Sequence, residues 1–227
     1  MKRITPPAVK NSTEWVLIGC EKSGIVRDAF LARGVNAVSC DLEPTQNPGP
    51  HIVGDIMEII NAGWRAAILH PQCRRVCVSG NHKYAVGKPN HHERLRDARW
   101  IERLWNKARR KCGAVCLENS MGVLPTLTNL GKPTQIIQPY EFGDDASKAT
   151  CLWLYNLLKL TPTKRIPGRF VTWNGKTVER WQNQTDSGQN KLPPSTTRSA
   201  DRAKTYPGIA AAFADQWRNF DMALVLK

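Results

Sequence analysis

Residues 15–41 read WVLIGCEKSGIVRDAFLARGVNAVSCD, and their pattern decides the fold. WVLIGC (15–20) is a short unbroken apolar run, the mark of a strand buried on both faces. EKSG turns the chain, and IVRDAFLARG has helical composition closed by Gly34. VNAVSC (35–40) is a second apolar strand, ending at Asp41. Strand, helix and strand in so short a span form a βαβ unit with parallel strands. The alternation continues outward. EPTQNPGP is a turn-rich connection, HIVGD (51–55) a third strand, and RAAILH (65–70) a fourth that runs into HPQC. Residues 92–111 have helical composition, and GAVCLE (113–118) is a fifth strand ending at Asn119. TQIIQP and KATCLWL supply later strands, and 207–224 forms a closing helix with Pro207 suited to its first turn. The expectation is an α/β, Rossmann-like fold: a mostly parallel sheet with helices on both faces. Residues 1–160 form its core, 161–205 a small basic insert of little periodicity, and 206–227 a helix returning to the core.

The 227 residues carry a formal charge of +14. Such a balance speaks about partners rather than fold. Residues 74–111 hold twelve Lys and Arg against three Asp and Glu, and 161–205 hold nine against three. The remainder is close to neutral, so two basic segments sit on a neutral scaffold and suggest a binding surface rather than two solvated faces. No apolar run approaches the roughly 20 residues of a membrane span, and the N-terminus lacks the apolar stretch of a signal peptide. Seven cysteines at irregular spacings do not suggest a secreted disulfide framework. The expectation is a cytoplasmic protein with reduced thiols.

Ligands of open α/β sheets bind beyond the carboxyl ends of the strands. Ser23, Gly24, Asp41, Asp55, Cys73 and Glu118 all fall there. The turn holding Ser23 and Gly24 leads into a helix, whose free N–H groups suit a carboxylate or phosphate. Asp41 is placed to accept from a ribose and Asp55 from an adenine amino group. Each feature alone is equally an ordinary turn or cap. In HPQCRRVCVSG, Cys73 precedes Arg74 and Arg75, and nearby cations favour the thiolate. A thiolate added to carbon 6 of cytosine activates carbon 5, and an acid at the next strand end, Glu118, would assist at the ring nitrogen. The bland alternatives are an inert strand-end thiol and a capping or salt-bridged acid. Cys73 and Cys77, and Cys112 and Cys116, are each four apart with histidines nearby, so zinc is conceivable; the strand position of Cys116 argues against a chelate, and no metal is expected. Cys20, Cys40 and Cys151 look like core.

The order LIGCEKSG, CDLEP, GDI, HPQC, LENS, FGDDASKAT and TYPGIAAA, across residues 15–218, resembles a reduced DNA (cytosine-5) methyltransferase of the short kind found in phages and prophages. HPQC followed by ENS is the most specific part. The resemblance implies a class I S-adenosylmethionine-dependent methyltransferase sheet. It implies Cys73 as nucleophile and Glu118 against the flipped base. Lys148 and Thr150 stand where larger members carry two arginines supporting the base and the loop. Ser23, Gly24, Asp41 and Asp55 fall on the cofactor motifs, and TYPGIAAA on the motif that closes the cofactor pocket. Only Gly24 remains of the glycine-rich first motif, and Gln72 replaces the proline before the nucleophile. Double-stranded DNA is the implied partner of a monomer, because a base must leave the stack before its carbon 5 is reached. Arg74 and Arg75 are expected on phosphates, and Asn190, Lys191 and Arg198 on base edges or phosphates. Trp173 and Trp181 are candidates to stack, whereas Trp153 reads as core. The competing readings are an inactive DNA-binding protein on the same scaffold, an enzyme of free cytosine nucleotides, and methylation at an exocyclic amine, whose Asp/Asn-Pro-Pro-aromatic motif HPQC lacks.

Overall fold

The computed structural model describes residues 12–193, 195 and 204–219. Its centre is a seven-stranded sheet of order β3-β2-β1-β4-β5-β7-β6. In chain order these are β1 (Val16–Gly19), β2 (Ala37–Asp41), β3 (His51–Val53), β4 (Trp64–Leu69), β5 (Cys112–Ser120), β6 (Gln135–Ile137) and β7 (Thr150–Tyr155). β1 to β5 pair in parallel, and β7 lies antiparallel between β5 and β6. The helices are α1 (Ile25–Leu31), α2 (Ile56–Ile59), α3 (Asn81–Tyr84), α4 (His91–Lys111), α5 (Leu124–Leu127) and α6 (Pro207–Trp217). The expected mostly parallel, Rossmann-like sheet is thus present.

The apolar strands are buried on both faces, as their unbroken sequences require. Leu17 of β1 faces a core completed by Ala98, Ile101, Leu104, Trp105 and Ala108 of α4. Its neighbours Val16 and Ile18 face a second core built with Val26 and Phe30 of α1 and Phe213 of α6. Each such aliphatic residue, fully enclosed, stabilises by about 1.5–3 kcal/mol. α1 ends at Leu31, and Gly34 takes a left-handed φ of 73° in the turn that follows. α6 is held against α1 by the Arg33–Asp215 ion pair. The last residues of the 207–224 helix reading, from 220 onward, lie outside the described residues.

Two arginines are turned inward. Arg27 of α1 is fully buried. It donates to Ser39 Oγ, Thr45 Oγ1 and the carbonyls of Asn47 and Pro48, which fastens the turn-rich β2–β3 connection. Arg94 of α4 does the same for the loop after β4 and is described below.

The basic segment contains a hairpin that its composition concealed. β8 (Arg169–Trp173) and β9 (Lys176–Arg180) pair antiparallel in a separate sheet, joined by Asn174 and Gly175. Both joining residues have positive φ, 51° and 72°, the mirror-image turn that matches strand twist. An Asn-Gly pair between TW and KT is the strongest short-range hairpin pattern, and weighing the segment by composition alone overlooked it. The segment is tied to the core. Tyr140 stacks on Trp181 with ring centroids 3.8 Å apart, and Asn183 Oδ1 accepts from Ser147 N at 2.9 Å. A Cβ at Gly175 would meet nothing within 4 Å, so a side chain there costs backbone strain only. Gly175→Ala is therefore expected to destabilise the hairpin by about 1–2 kcal/mol. Amide exchange of the β8 and β9 protons should quicken by roughly 5- to 30-fold. Unchanged exchange would show that the turn tolerates another backbone.

Candidate active site

Strand order reverses direction at β1, which passes to β2 on one side and to β4 on the other. A crevice opens at such a point. Here it is a cleft of about 1460 Å³. One end is walled by the loops after β1, β2 and β3, the other by the loops after β4 and β5. Ser23, Asp41, Asp55, Cys73, Glu118 and Lys148 all line it. So do Arg74, Arg75 and Asn190. Gly24 and Lys191 are not among its lining residues, and Arg198 lies outside the described residues. Gly24, at a φ of 79°, packs instead on the buried guanidinium of Arg27.

The loop carrying Cys73 is held rigidly. Cys73 O accepts from Val76 N at 3.0 Å and Cys77 N at 2.9 Å. Arg94 donates to the carbonyls of Arg75 and Cys77 and to Asn81 Oδ1. From the next strand, buried Asn119 donates its amide to Pro71 O at 3.0 Å. A Cβ at Gly122 would fall 2.0 Å from Val76 O, so only glycine lets the loop after β5 clamp this turn. Asn119 explains the ENS motif in part: the residue after the acid fastens the loop that bears the thiol.

Arg75 does not face the thiol as a free cation. It is paired with Glu93 at 2.6 Å and Asp97 at 2.8 Å, both on α4. Arg74 is exposed. The electrostatics of Cys73 come from elsewhere. Its thiol donates to Cys77, and that bond and burial push its pKa up, against a hydrogen bond from Ser120. Cys77 is correspondingly lowered, because its sulfur accepts from Cys73 and from Ser79, which lies 3.1 Å away. Cys77 Sγ also lies 3.5 Å from Arg74 O, to which its thiol can donate. The expectation that flanking arginines ionise Cys73 is replaced by this arrangement, which i, i+4 spacing in a tight turn foreshadowed.

Glu118 lies nearly enclosed, its side chain 14% exposed. Burial pushes its pKa up, but the hydrogen bond from His70 and the charges of Lys148 and His70 outweigh burial, and the net is below the ordinary value. His70 Nδ1 is 3.1 Å from Glu118 Oε2. The other ring nitrogen of His70 is buried with no partner. His70 is one of the histidines that stand near the Cys73 and Cys77 pair in the sequence, where only zinc gave them a role. Its position as the last residue before the proline of HPQC, on the strand beside that of Glu118, was the available clue.

At the other end, Asp55 Oδ1 caps α2 by accepting from Met57 N at 2.8 Å, and Asp41 Oδ1 accepts from Glu43 N at 3.1 Å. Each keeps a second carboxylate oxygen. The first N–H of α1 is already engaged by the chain itself. Glu21 Oε1 already accepts there from Ile25 N, at 3.1 Å, and from the hydroxyl of Ser23.

The seven cysteines are free thiols, and no cluster of three His, Cys, Asp or Glu suited to a metal occurs among the described residues. No described helix is long and apolar enough to cross a membrane. Trp153 is buried, Trp181 is spent on Tyr140, and Trp173 remains exposed on the hairpin. No protein-family model matches the chain, and no curated protein matches it.

Proposed function

We propose that the chain is a class I S-adenosylmethionine-dependent methyltransferase that methylates carbon 5 of cytosine in double-stranded DNA. One observation carries this reading: a single cleft joins a thiol pair and an enclosed carboxylate on neighbouring strand ends to a set of acids after β1, β2 and β3. An acid end with unspent carboxylate oxygens fits a ligand rich in N–H and O–H donors. Asp41 would take the ribose hydroxyls and Asp55 the adenine amino group, with Ser23 fixing the acid that faces them. When bound, the cofactor supplies an electrophilic methyl group.

The chain's own residues do the rest. Cys73 gives up its proton to solvent as its sulfur bonds to carbon 6 of the flipped base. The electron pair of the 5,6 double bond moves to carbon 5 and makes it nucleophilic. Glu118 enters ionised. A base seated against it removes water from the carboxylate and raises its pKa toward the protonated form that donates to ring nitrogen 3. Once carbon 5 has gained its methyl, loss of the carbon 5 proton re-forms the double bond and releases Cys73.

DNA fits the charge. The buried side of α4 includes Ala98, Ile101, Trp105 and Ala108, while Arg96, Arg99, Arg103 and Arg110 are exposed along its length. Spaced three, four and seven residues apart, they make a basic stripe along a helix of 21 residues. Each phosphate neutralised contributes about −0.9 to the slope of log affinity against log salt. Replacing Arg103 and Arg110 together by Gln is expected to flatten that slope by roughly 1.8, with about equal weakening for all duplexes. An unaltered slope would move the DNA backbone off this stripe. The reaction itself is tested with radiolabelled cofactor and mixed-sequence duplex, followed by nucleoside analysis. Label in 5-methyldeoxycytidine is expected. Label on an exocyclic amine, or none, overturns the reading.

A further inference from the structure

Glu21 is 6% exposed and lies between the carboxyl ends of β1 and β2, where its own N–H donates to Cys40 O at 3.1 Å. Its carboxylate is divided. Oε1 is occupied by Ser23 and by the first N–H of α1. Oε2 is buried with no hydrogen-bond partner, and Glu21 lines the cleft. Among the described residues only His70 Nε2, on the other side of the same cleft, shares that condition. A buried carboxylate oxygen is costly to leave without a donor, so the arrangement calls for a cationic donor.

The surroundings point the same way. In a chain of net charge +14, this end of the cleft is acidic: Asp41, Glu43 and Asp55 line it, and Lys22 is neutralised by Glu43 at 2.5 Å. The adjacent thiol of Cys20 is pushed up by burial and then by Asp41, Cys40 and Asp55, as expected of a negative field. The ligand's positive end belongs here. A sulfonium has no N–H to give, and ribose hydroxyls are served by the acid at the end of β2. A primary ammonium both carries the charge and donates.

We propose that Glu21 is the binding residue for the α-ammonium of the adenosyl amino acid, through Oε2. Ser23 acts through Glu21, holding its other oxygen so that Oε2 faces the ligand. The inference rests on the cofactor reading above and adds the residue that distinguishes an adenosyl amino acid from a bare adenosyl thioether.

The test is calorimetric titration with three ligands: S-adenosylhomocysteine, its analogue with hydrogen in place of the α-amino group, and 5′-methylthioadenosine. A charged hydrogen bond corresponds to about 10- to 150-fold in affinity. Wild type is expected to prefer S-adenosylhomocysteine over the desamino analogue by that factor. Glu21→Gln retains an oxygen to cap α1 and removes the charge, so the preference should collapse to near unity while 5′-methylthioadenosine binds as before. Wild type that binds both amino and desamino ligands equally overturns the role of Glu21 and leaves the cofactor site standing. That comparison needs no variant to fold. Wild type that binds none of the three overturns the cofactor reading and this inference with it.

Discussion

Replacing Cys73 by Ala is expected to abolish methylation of duplex DNA, a loss on the order of 10⁴- to 10⁶-fold, while leaving DNA affinity nearly unchanged. The size follows from the chemistry, since without a sulfur at carbon 6 carbon 5 has no route to nucleophilicity. DNA with 5-fluorocytosine at the target makes the step visible. Fluorine cannot leave as a proton does, so wild type should remain covalently attached after methyl transfer and Cys73→Ala should not. The neighbouring thiol gives the experiment its resolution. Cys77 is hydrogen-bonded to Cys73 and lines the same cleft. Cys77→Ser should still be trapped, because the sulfur that meets carbon 6 is untouched. Trapping by Cys73→Ala that is lost in Cys77→Ser would exchange the two roles. Methylation by Cys73→Ala at the wild-type rate would remove Cys73 from the nucleophile's role.

How far the residues disclosed this arrangement depends on the range of the interactions. The βαβ alternation of 15–41 and the strand-end positions of Asp41, Asp55, Cys73 and Glu118 are local properties, carried by apolar runs and the polar residues that stop them. The sheet order then brings those ends to one cleft by connection rules alone. What escaped is long-range or two-body. That Arg75 is consumed by Glu93 and Asp97, and Arg94 by backbone carbonyls, depends on the rotation of α4 against the loop after β4. Net charge counts such residues as binding surface, whereas they tie the thiol loop to its helix. Likewise Glu21 reads as one more polar residue of a turn, and only the fold shows its carboxylate filling the end of α1. The hairpin of 169–180 is different. Its Asn174-Gly175 turn is local and was legible, but averaging over a long basic segment hid it.

Glu118→Gln is expected to lower kcat by about 10²- to 10⁴-fold, the range for removing a positioned proton donor, with little change in KM for DNA. The amide keeps the size of the carboxyl and donates a hydrogen bond, but it cannot pass a proton to ring nitrogen 3. The pH profile separates this role from a structural one. In the free site the hydrogen bond from His70 and the charges of Lys148 and His70 hold Glu118 below its ordinary value, against burial. A donor must carry its proton, so kcat should fall as pH rises through the pKa that Glu118 acquires with the base in place. Lys148→Met removes a cation that favours the carboxylate. That pKa then rises, and the falling limb should move to higher pH. His70→Phe should move it in the same direction, because the hydrogen bond to the ionised form is lost as well. Glu118→Gln has no such group and should lose the limb. Cys73 faces the same cleft with its thiol pushed up, so the limb that rises as it ionises should persist in all three variants. A limb that stays in place in Lys148→Met and His70→Phe would mean that Glu118 accepts from the exocyclic amine of the base as a permanent carboxylate, and that the proton for nitrogen 3 comes from water or from DNA.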